Sequence, residues 1–419
     1  MRWVETTAKA LLAIVFFASF VMGPLFAAST AAAIAGEQLG VSILQARDLG
    51  ETKKRLQAGD HALQPALNKL RRDADRALQN QPVSVTQKQL LPPSGDKHDY
   101  ISIAPYWWPN PAARNGLPYV RRDGDINPER DQTSDRKRLD QLVQGVKTLA
   151  LAYYCTENDA YARHAAKLLR AWFLDETTKM NPHLRYAQSI PGRNSGRAEG
   201  IIETHTLPEV IDALGLLQGS KGWTPSDQRQ LRDWFNTYLD WLRESPEGKA
   251  EAKAQNNHGT WYDVQVASFA IFVGRDQVAR QVLGDFATGR IAVQIEPAGR
   301  LPHELARTRA WNYSIFNLEA MFNAASIADQ LKIDLWNYQT ASHRSIRKAL
   351  DWLIPFATGE KKWIDREIAA FEPQKLAPLL RRAAIVYRES AYEEAIAKLP
   401  KLTGDERWRL LYPRSLERR

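Results

Sequence analysis

Two amides and an imidazole stand side by side at Asn256-Asn257-His258, immediately before an apolar helical stripe of Val264, Val266, Ala267, Phe269 and Ala270. That order places them at a helix N-terminus, where unpaired backbone N–H groups and the helix dipole favour a bound anion. An amide side chain can donate to the same anion. The competing reading is that Asn257 merely caps the helix and His258 fills its first turn. A second segment, Leu301-Pro302-His303-Glu304-Leu305-Ala306-Arg307-Thr308-Arg309-Ala310-Trp311-Asn312-Tyr313, opens another helix and sets Arg307 and Tyr313 six positions apart, on adjoining turns. A guanidinium grips a carboxylate through two parallel hydrogen bonds, and a nearby phenol transfers a proton if the same positive charge lowers its pKa. Taken singly, such a pair reads better as a surface arginine with a core tyrosine.

Two long stretches without helical periodicity carry further arginines and aromatic rings. Residues 81–133 hold His98-Asp99-Tyr100, then Ala104-Pro105-Tyr106-Trp107-Trp108-Pro109-Asn110-Pro111, then Arg121-Arg122-Asp123-Gly124; residues 181–198 hold Pro191-Gly192-Arg193-Asn194-Ser195-Gly196-Arg197. Connections of this length commonly serve a function. Aromatic faces stack on sugar rings while guanidinium groups pair with carboxylates, so Tyr100, Tyr106, Trp107 and Trp108 are expected in a lid or wall, and Arg193 and Arg197 near sugar acids. The alternatives are hydrophobic anchoring for the tryptophans and a solvated loop for the arginines. His205 lies in an apolar stretch and reads as a core histidine, with Glu203 as a residue that orients a neighbour.

These segments need a scaffold, and the periodicity predicts an all-α one. Apolar residues recur at helical spacing over residues 50–80, 134–156, 159–174, 200–219, 224–244, 258–273, 276–288, 306–331, 339–356 and 373–397, with no convincing hairpin or βαβ pattern. Thr224-Pro225-Ser226-Asp227 is a start signal, and Ser134 precedes another apolar stripe. Ten helices joined by short turns suggest helical hairpins set in a ring or solenoid, an irregular bundle being the alternative.

Composition bounds the rest. Of 419 residues, 44% are hydrophobic and 25% charged, which suits a folded domain with a sizeable core. Residues 1–30 read as a secretory signal, with Arg2 and Lys9 before an uncharged stretch that ends in small residues; Gly23-Pro24 argues against an uncleaved anchor. One domain over residues 37–419, periplasmic or secreted and without a membrane span, is expected to follow. The lone Cys155 rules out an internal disulfide, and it reads as a small buried hydrophobe. A formal net charge of +9 directs an exported protein toward polyanions, or serves solubility alone. The eight histidines are scattered, and zinc, calcium-loop, phosphate-loop and dinucleotide patterns are absent from the sequence, so no metal and no cofactor are expected.

Four segments in order, Asp99-Tyr100 through Pro111, Gly200-Ile201-Ile202-Glu203, Asn256 through Trp261, and Leu301 through Tyr313, resemble the alginate lyase domain superfamily of polysaccharide lyases. The resemblance implies an incomplete helical toroid with a long N-terminal lid loop over a groove. Asn257, His258 and Arg307 would neutralise a substrate carboxylate and Tyr313 would transfer the proton; Asn256, Trp261 and Arg309 would add substrate contacts beside the loop residues. In family five the tyrosine follows its arginine by seven positions, but here seven after Arg307 is Ser314 and seven after Arg309 is Phe316. The six-residue gap is similar to family thirty-eight, whose members act on glucuronan and alginate.

The chemistry so implied is β-elimination on a uronate of an acidic polysaccharide, with no nucleic acid or membrane partner; the sequence leaves the oligomeric state open. The C5 proton is too weakly acidic for a side chain unless the carboxylate is neutralised, which Asn257, His258 and Arg307 would do. Tyr313 would serve as acid, and as base in a syn elimination, with His258 the base for the opposite C5 configuration. Two rivals are an inverting glycoside hydrolase using Glu203 and Asp263, and a binding protein that holds acidic polysaccharide without cutting it.

Overall fold

Helices that stand in the middle of a helical assembly are walled in on all sides, and their sequences lose the polar stripe that outer helices keep. This contrast organises the molecule. A computed structural model describes residues 39–133, 135–400 and 406–414; the expected signal over residues 1–30 and the start signal at Ser134 lie outside them.

The main helices are α1 (Ala46–Gln57), α2 (Gln64–Ala77), α3 (Arg136–Thr156), α4 (Asp159–Phe173), α5 (Leu207–Leu216), α6 (Pro225–Glu244), α7 (Asn257–Phe272), α8 (Asp276–Phe286), α9 (Ala310–Gln330), α10 (Ile346–Ala357), α11 (Ala377–Tyr387) and α12 (Ser390–Lys398). Helix α3 packs on α5, α5 on α7, and α7 on α9, forming a continuous inner wall; α4 backs α3 from outside, and α6 and α8 back α7. In α7 even Gln265 and Ser268 are fully buried, as are Leu318, Met321, Phe322 and Ala325 in α9. Helix α4 instead buries Tyr161, Ala165, Leu168, Leu169 and Trp172 and leaves Arg163 and Lys167 in solvent. The assembly is the expected incomplete toroid of helical hairpins.

Tight turns set the antiparallel pairs. Helix α3 ends on Glu157 in the left-handed region (φ 57°), and Asn158 then caps α4 by accepting from the Ala160 N–H, so two residues reverse the chain. Thr224 and Asp227 form the capping box at the start of α6, with Pro225 in the first turn, as their spacing predicts. The stretch expected as one helix over residues 50–80 is two, because the chain turns at Gly59-Asp60 between α1 and α2. Residues 200–219 likewise divide into a 3₁₀ segment, Ala198–Thr204, and α5, whose first turn begins at Leu207-Pro208. Cys155 is free and half-buried at the edge of the core.

The two long loops meet each other. Strand β1 (Ile101–Ile103) in the first pairs in parallel with β4 (Tyr186–Ser189) in the second, Ile101 opposite Tyr186 and Ile103 opposite Ser189. Between them lies a hairpin, β2 (Trp107–Trp108) with β3 (Val120–Arg121), which the sequence does not signal because two-residue strands are too short to show alternation. The hairpin continues into Gly124, held at φ 74° so close to the Thr308 side chain that a Cβ there would clash with its Oγ1. A glycine at that point lets the lid loop reach the start of α9. Among the described residues no helix is long and apolar enough to cross a membrane.

Candidate active site

A cleft of about 760 Å³ opens above the N-terminal ends of α7 and α9. Asn256, Asn257, His258, Arg307 and Tyr313 all line it, joined by Tyr106 and Trp107 from the lid loop and by Arg197. Arg121, Arg130, Arg136 and His303 add further positive or donor groups to its walls. The cleft therefore offers an anion many donors and few competing carboxylates.

Asn256, rather than Asn257, is the cap of α7: its Oδ1 accepts from the His258 N–H at 3.2 Å. Asn257 is almost fully buried and donates twice to one carboxylate, from its backbone N to Glu304 Oε1 and from Nδ2 to Glu304 Oε2, both at 2.7 Å. Those first-turn N–H groups are thus taken, and the helix N-terminus does not itself present bare backbone donors to an anion. What Asn257 can offer is its second Nδ2 hydrogen, aimed by Glu304, whose place is fixed in turn by Asn317 Nδ2 at 3.2 Å. Burial pushes the Glu304 carboxyl up, against the pull of the Asn257 hydrogen bonds.

His258 sits with Nδ1 2.6 Å from Glu251 Oε1. A carboxylate only accepts, so Nδ1 carries the proton and Nε2 is left for the cleft. Glu251 is itself buried behind the ring. This carboxylate–imidazole pair orients the histidine and stabilises an imidazolium when one forms.

Arg307 is the hub. Its Nε and Nη2 fork onto Asp123, with Nη2 2.8 Å from Oδ1 and Nε 3.1 Å from the same oxygen, while Nη2 also donates to the Tyr313 hydroxyl at 2.8 Å. The guanidinium carbon lies 3.9 Å from the centroid of the Tyr313 ring. Nη1 has no protein partner among the described residues and remains for a substrate carboxylate. The Tyr313 hydroxyl shares a second hydrogen bond, 2.6 Å, with Tyr106 of the lid. Burial, then Tyr106, push the Tyr313 pKa up, and Arg307 only partly counters them. The expectation that the guanidinium would lower it is therefore corrected: the ring is partly desolvated and faces another phenol, so the resting group is a neutral phenol, a proton donor.

Several residues expected at the groove lie elsewhere. Tyr100 is 0% exposed, its hydroxyl donating to Glu203 Oε2 at 2.7 Å, so it anchors the lid from within the core. Trp261, 2% exposed, packs beneath His205 and Phe316 and does not line the cleft. Arg309 precedes α9 with its backbone bridged to Glu367, and Trp108 is held by its indole N–H on the Asp125 carbonyl and covered by Arg122; neither lines the cleft. Arg193 is exposed and stacks 5.0 Å over the Trp107 ring, with Nε on the Tyr119 carbonyl; it covers a face that a sugar would otherwise use. Arg197 does line the cleft, paired with Glu199 at 3.1 Å and with Gln188 Oε1 at 2.7 Å. Glu203 and Asp263 do not face each other across the cleft: Glu203 accepts from Tyr100 and Ser102, Asp263 is half-buried and paired with Arg290, and neither lines the cleft.

The sequence reading missed Asp123, Glu251, Glu304 and the exposed edge of His205. Asp123 was within reach of a sequence argument, since an Asp-Gly turn in a lid loop commonly presents a carboxylate, but its partner is 184 residues away. Burial pushes its pKa up, but hydrogen bonds from Arg307 and from the Thr308 backbone outweigh that, and the net shift is downward. A carboxyl so depressed stabilises the fold fully above its unfolded pKa of about 3.9 and loses that contribution progressively as pH falls below it. Asp123→Asn should lower kcat by about tenfold to a hundredfold, because the guanidinium loses its fixed orientation. Its melting temperature should lie below wild type at pH 7, with the gap narrowing as pH drops from 5 toward 2. A gap independent of pH, or an unchanged kcat, would contradict this role.

Residues 84–363 match the family model described as alginate lyase. The crystal structure of an alginate lyase from Bacteroides ovatus is 40% identical to the chain and superposes with a TM-score of 0.86, covering 90% of this chain and 100% of that one. Alginate lyase A1-III from Sphingomonas species A1, at 16% identity, shares the fold with a TM-score of 0.58 over 90% of this chain and 98% of its own. A histidine-to-alanine variant of A1-III complexed with a tetrasaccharide, at 14% identity and a TM-score of 0.57, covers 91% of this chain and 97% of its own. No curated protein matches the chain.

Proposed function

Because the chain belongs to the alginate lyase family and is a polysaccharide lyase, we propose that it cleaves uronate-containing polymers, alginate and glucuronan among them, by metal-independent β-elimination. The observation that carries this reading is the Arg307 guanidinium, bound at once to Asp123 and to the Tyr313 hydroxyl, in one cleft with Asn257 and His258. A uronate carboxylate seated on Arg307 Nη1 and Asn257 Nδ2 would have its growing enolate charge met by donors already in place. His258, whose proton is given to Glu251 from Nδ1, presents Nε2 as an acceptor beside that carboxylate rather than donating to it, which corrects its expected part in neutralisation. The base takes the C5 proton, the C5–H electrons form the C4=C5 double bond, and the C4–O4 bond breaks. The leaving oxygen then takes the Tyr313 proton.

The raised pKa of Tyr313 favours the acid role, and Glu251 behind His258 favours Nε2 as base where the C5 proton lies on the opposite face. The broad-specificity reading rests on the six-residue spacing of Arg307 and Tyr313 and on arginines set along the cleft rather than at one point. Among the described residues no group of three or more His, Cys, Asp or Glu is placed to hold a metal ion, and the carboxylate is served by organic donors instead. Residues 1–30 support export to the periplasm or beyond.

The test is to follow ultraviolet-absorbing unsaturated product from alginate blocks and glucuronan, with and without a strong chelator. The expected result is product at an unchanged rate in chelator. New reducing ends without ultraviolet absorbance would instead indicate hydrolysis, and loss of activity in chelator would overturn the metal-independent step. Binding of these polymers without any depolymerisation would identify a carrier.

A further inference from the structure

His205 follows the 3₁₀ segment Ala198–Thr204 and lines the cleft. Its Nδ1 lies 2.7 Å from the Ile202 carbonyl oxygen, which can only accept, so Nδ1 holds the proton and Nε2 presents a lone pair. Two rings fix the imidazole edge-on, Trp261 at 4.9 Å and Phe316 at 5.1 Å between centroids. Trp261 follows His258 by three positions on α7, and Phe316 follows Tyr313 by three on α9, so His205 is supported one turn below both reacting residues. Burial and the nearby Arg136 charge push its pKa down to about 3, which keeps the ring neutral at any working pH. Nε2 has no protein partner among the described residues, whereas a histidine that served packing alone would have both nitrogens satisfied.

Most charged groups around it are donors, with Arg121, Arg130, Arg136, Arg197 and Arg307 lining the cleft. Arg197 faces the cleft and already occupies Glu199 and Gln188 Oε1, and the lid carboxylate Asp123 is occupied by Arg307. A uronate brings ring hydroxyls that must donate as well as a carboxylate that must accept. We propose that His205 is a specificity-determining residue, its Nε2 accepting a hydrogen bond from a ring hydroxyl of the uronate whose carboxylate is held by Arg307. This rests on the lyase reading of the cleft and extends it: the carboxylate selects uronates as a class, and His205 selects for a free ring hydroxyl in the sugar that reacts.

The experiment compares wild type, His205→Phe and His205→Gln on a polyuronate and on the same polymer O-acetylated at its ring hydroxyls, following unsaturated product. Phenylalanine keeps the aromatic packing without the acceptor; glutamine restores an acceptor. Wild type is expected to discriminate strongly against the acetylated polymer. His205→Phe should lose about 10- to 100-fold in kcat/KM on the free polymer, as a buried hydroxyl left unpaired costs, and its preference for free over acetylated polymer should flatten; His205→Gln should recover part of both. An unchanged free-to-acetylated ratio in a folded His205→Phe enzyme, or a glutamine variant no better than phenylalanine in both respects, would overturn the proposal. Wild type that forms no unsaturated product from any polyuronate would remove the lyase reading itself, a failure visible before any variant is made.

Discussion

Replacing Tyr313 with phenylalanine should lower kcat by about a thousandfold, within the range that removal of a positioned proton donor produces, while KM changes little. The ring stays beneath the Arg307 guanidinium, 3.9 Å from its carbon, so packing is kept and the oxygen alone is lost. Substrate binding should survive because Arg307, Asn257 and His258 do not depend on that oxygen for position; Arg307 is held by Asp123, Asn257 by Glu304 and His258 by Glu251. What disappears is the proton for the leaving oxygen. Burial and the Tyr106 hydroxyl keep that proton on Tyr313 in the resting enzyme. Steady-state kinetics on a polyuronate checks the expectation, and a Tyr313→Phe enzyme retaining more than a tenth of wild-type kcat would sink the acid role.

Arg307→Lys should be nearly as damaging, about 10²- to 10³-fold in kcat, the size expected for loss of a donor aimed at developing charge. The guanidinium touches Asp123 with one edge and Tyr313 with a shared nitrogen, and turns Nη1 to the cleft. An ammonium is a point charge and cannot hold that fork. Because Asp123 acts through Arg307, the double variant Arg307→Lys/Asp123→Asn should be little worse than Arg307→Lys alone. Additive losses would mean that Asp123 contributes independently of the guanidinium.

The types and order of the reacting residues were legible because each lies within a short segment. Asn257 and His258 head α7, Arg307 and Tyr313 bracket the start of α9, and inner helices α7 and α9 pack side by side, so helix-level reasoning brings them to one rim. The all-α ring was legible for the same reason, from apolar spacing and tight turns. The partners that aim those residues were not. Glu304 stands inside a segment that attracted attention for Arg307, yet its target, Asn257, is 47 residues earlier; Glu251 precedes His258 by seven positions across a helix break.

Aromatic content misled in the opposite direction. Tyr100, Trp108 and Trp261 look in sequence like Tyr106 and Trp107, but the pleat of the short strands and the facing of α7 decide which rings reach the cleft. One-dimensional spacing does not carry that choice. Arg193 shows a similar limit, since an arginine beside tryptophans can bind the ring itself and leave no face for a sugar. His205 reads as a core histidine from its apolar neighbours, and it is indeed packed by aromatic rings; that one nitrogen opens on the cleft depends on the 3₁₀ turn that captures the other.

The most direct measurement is a crystal structure of the Tyr313→Phe enzyme with an oligouronate across the cleft. The account predicts one uronate carboxylate within hydrogen-bonding distance of Arg307 Nη1 and Asn257 Nδ2, with His258 Nε2 beside C5 and the C4–O4 bond of that sugar over the ring at position 313. An oligouronate whose carboxylates all pair with Arg121, Arg136 or Arg197, leaving Arg307 engaged by Asp123 alone and no glycosidic oxygen near position 313, would contradict it.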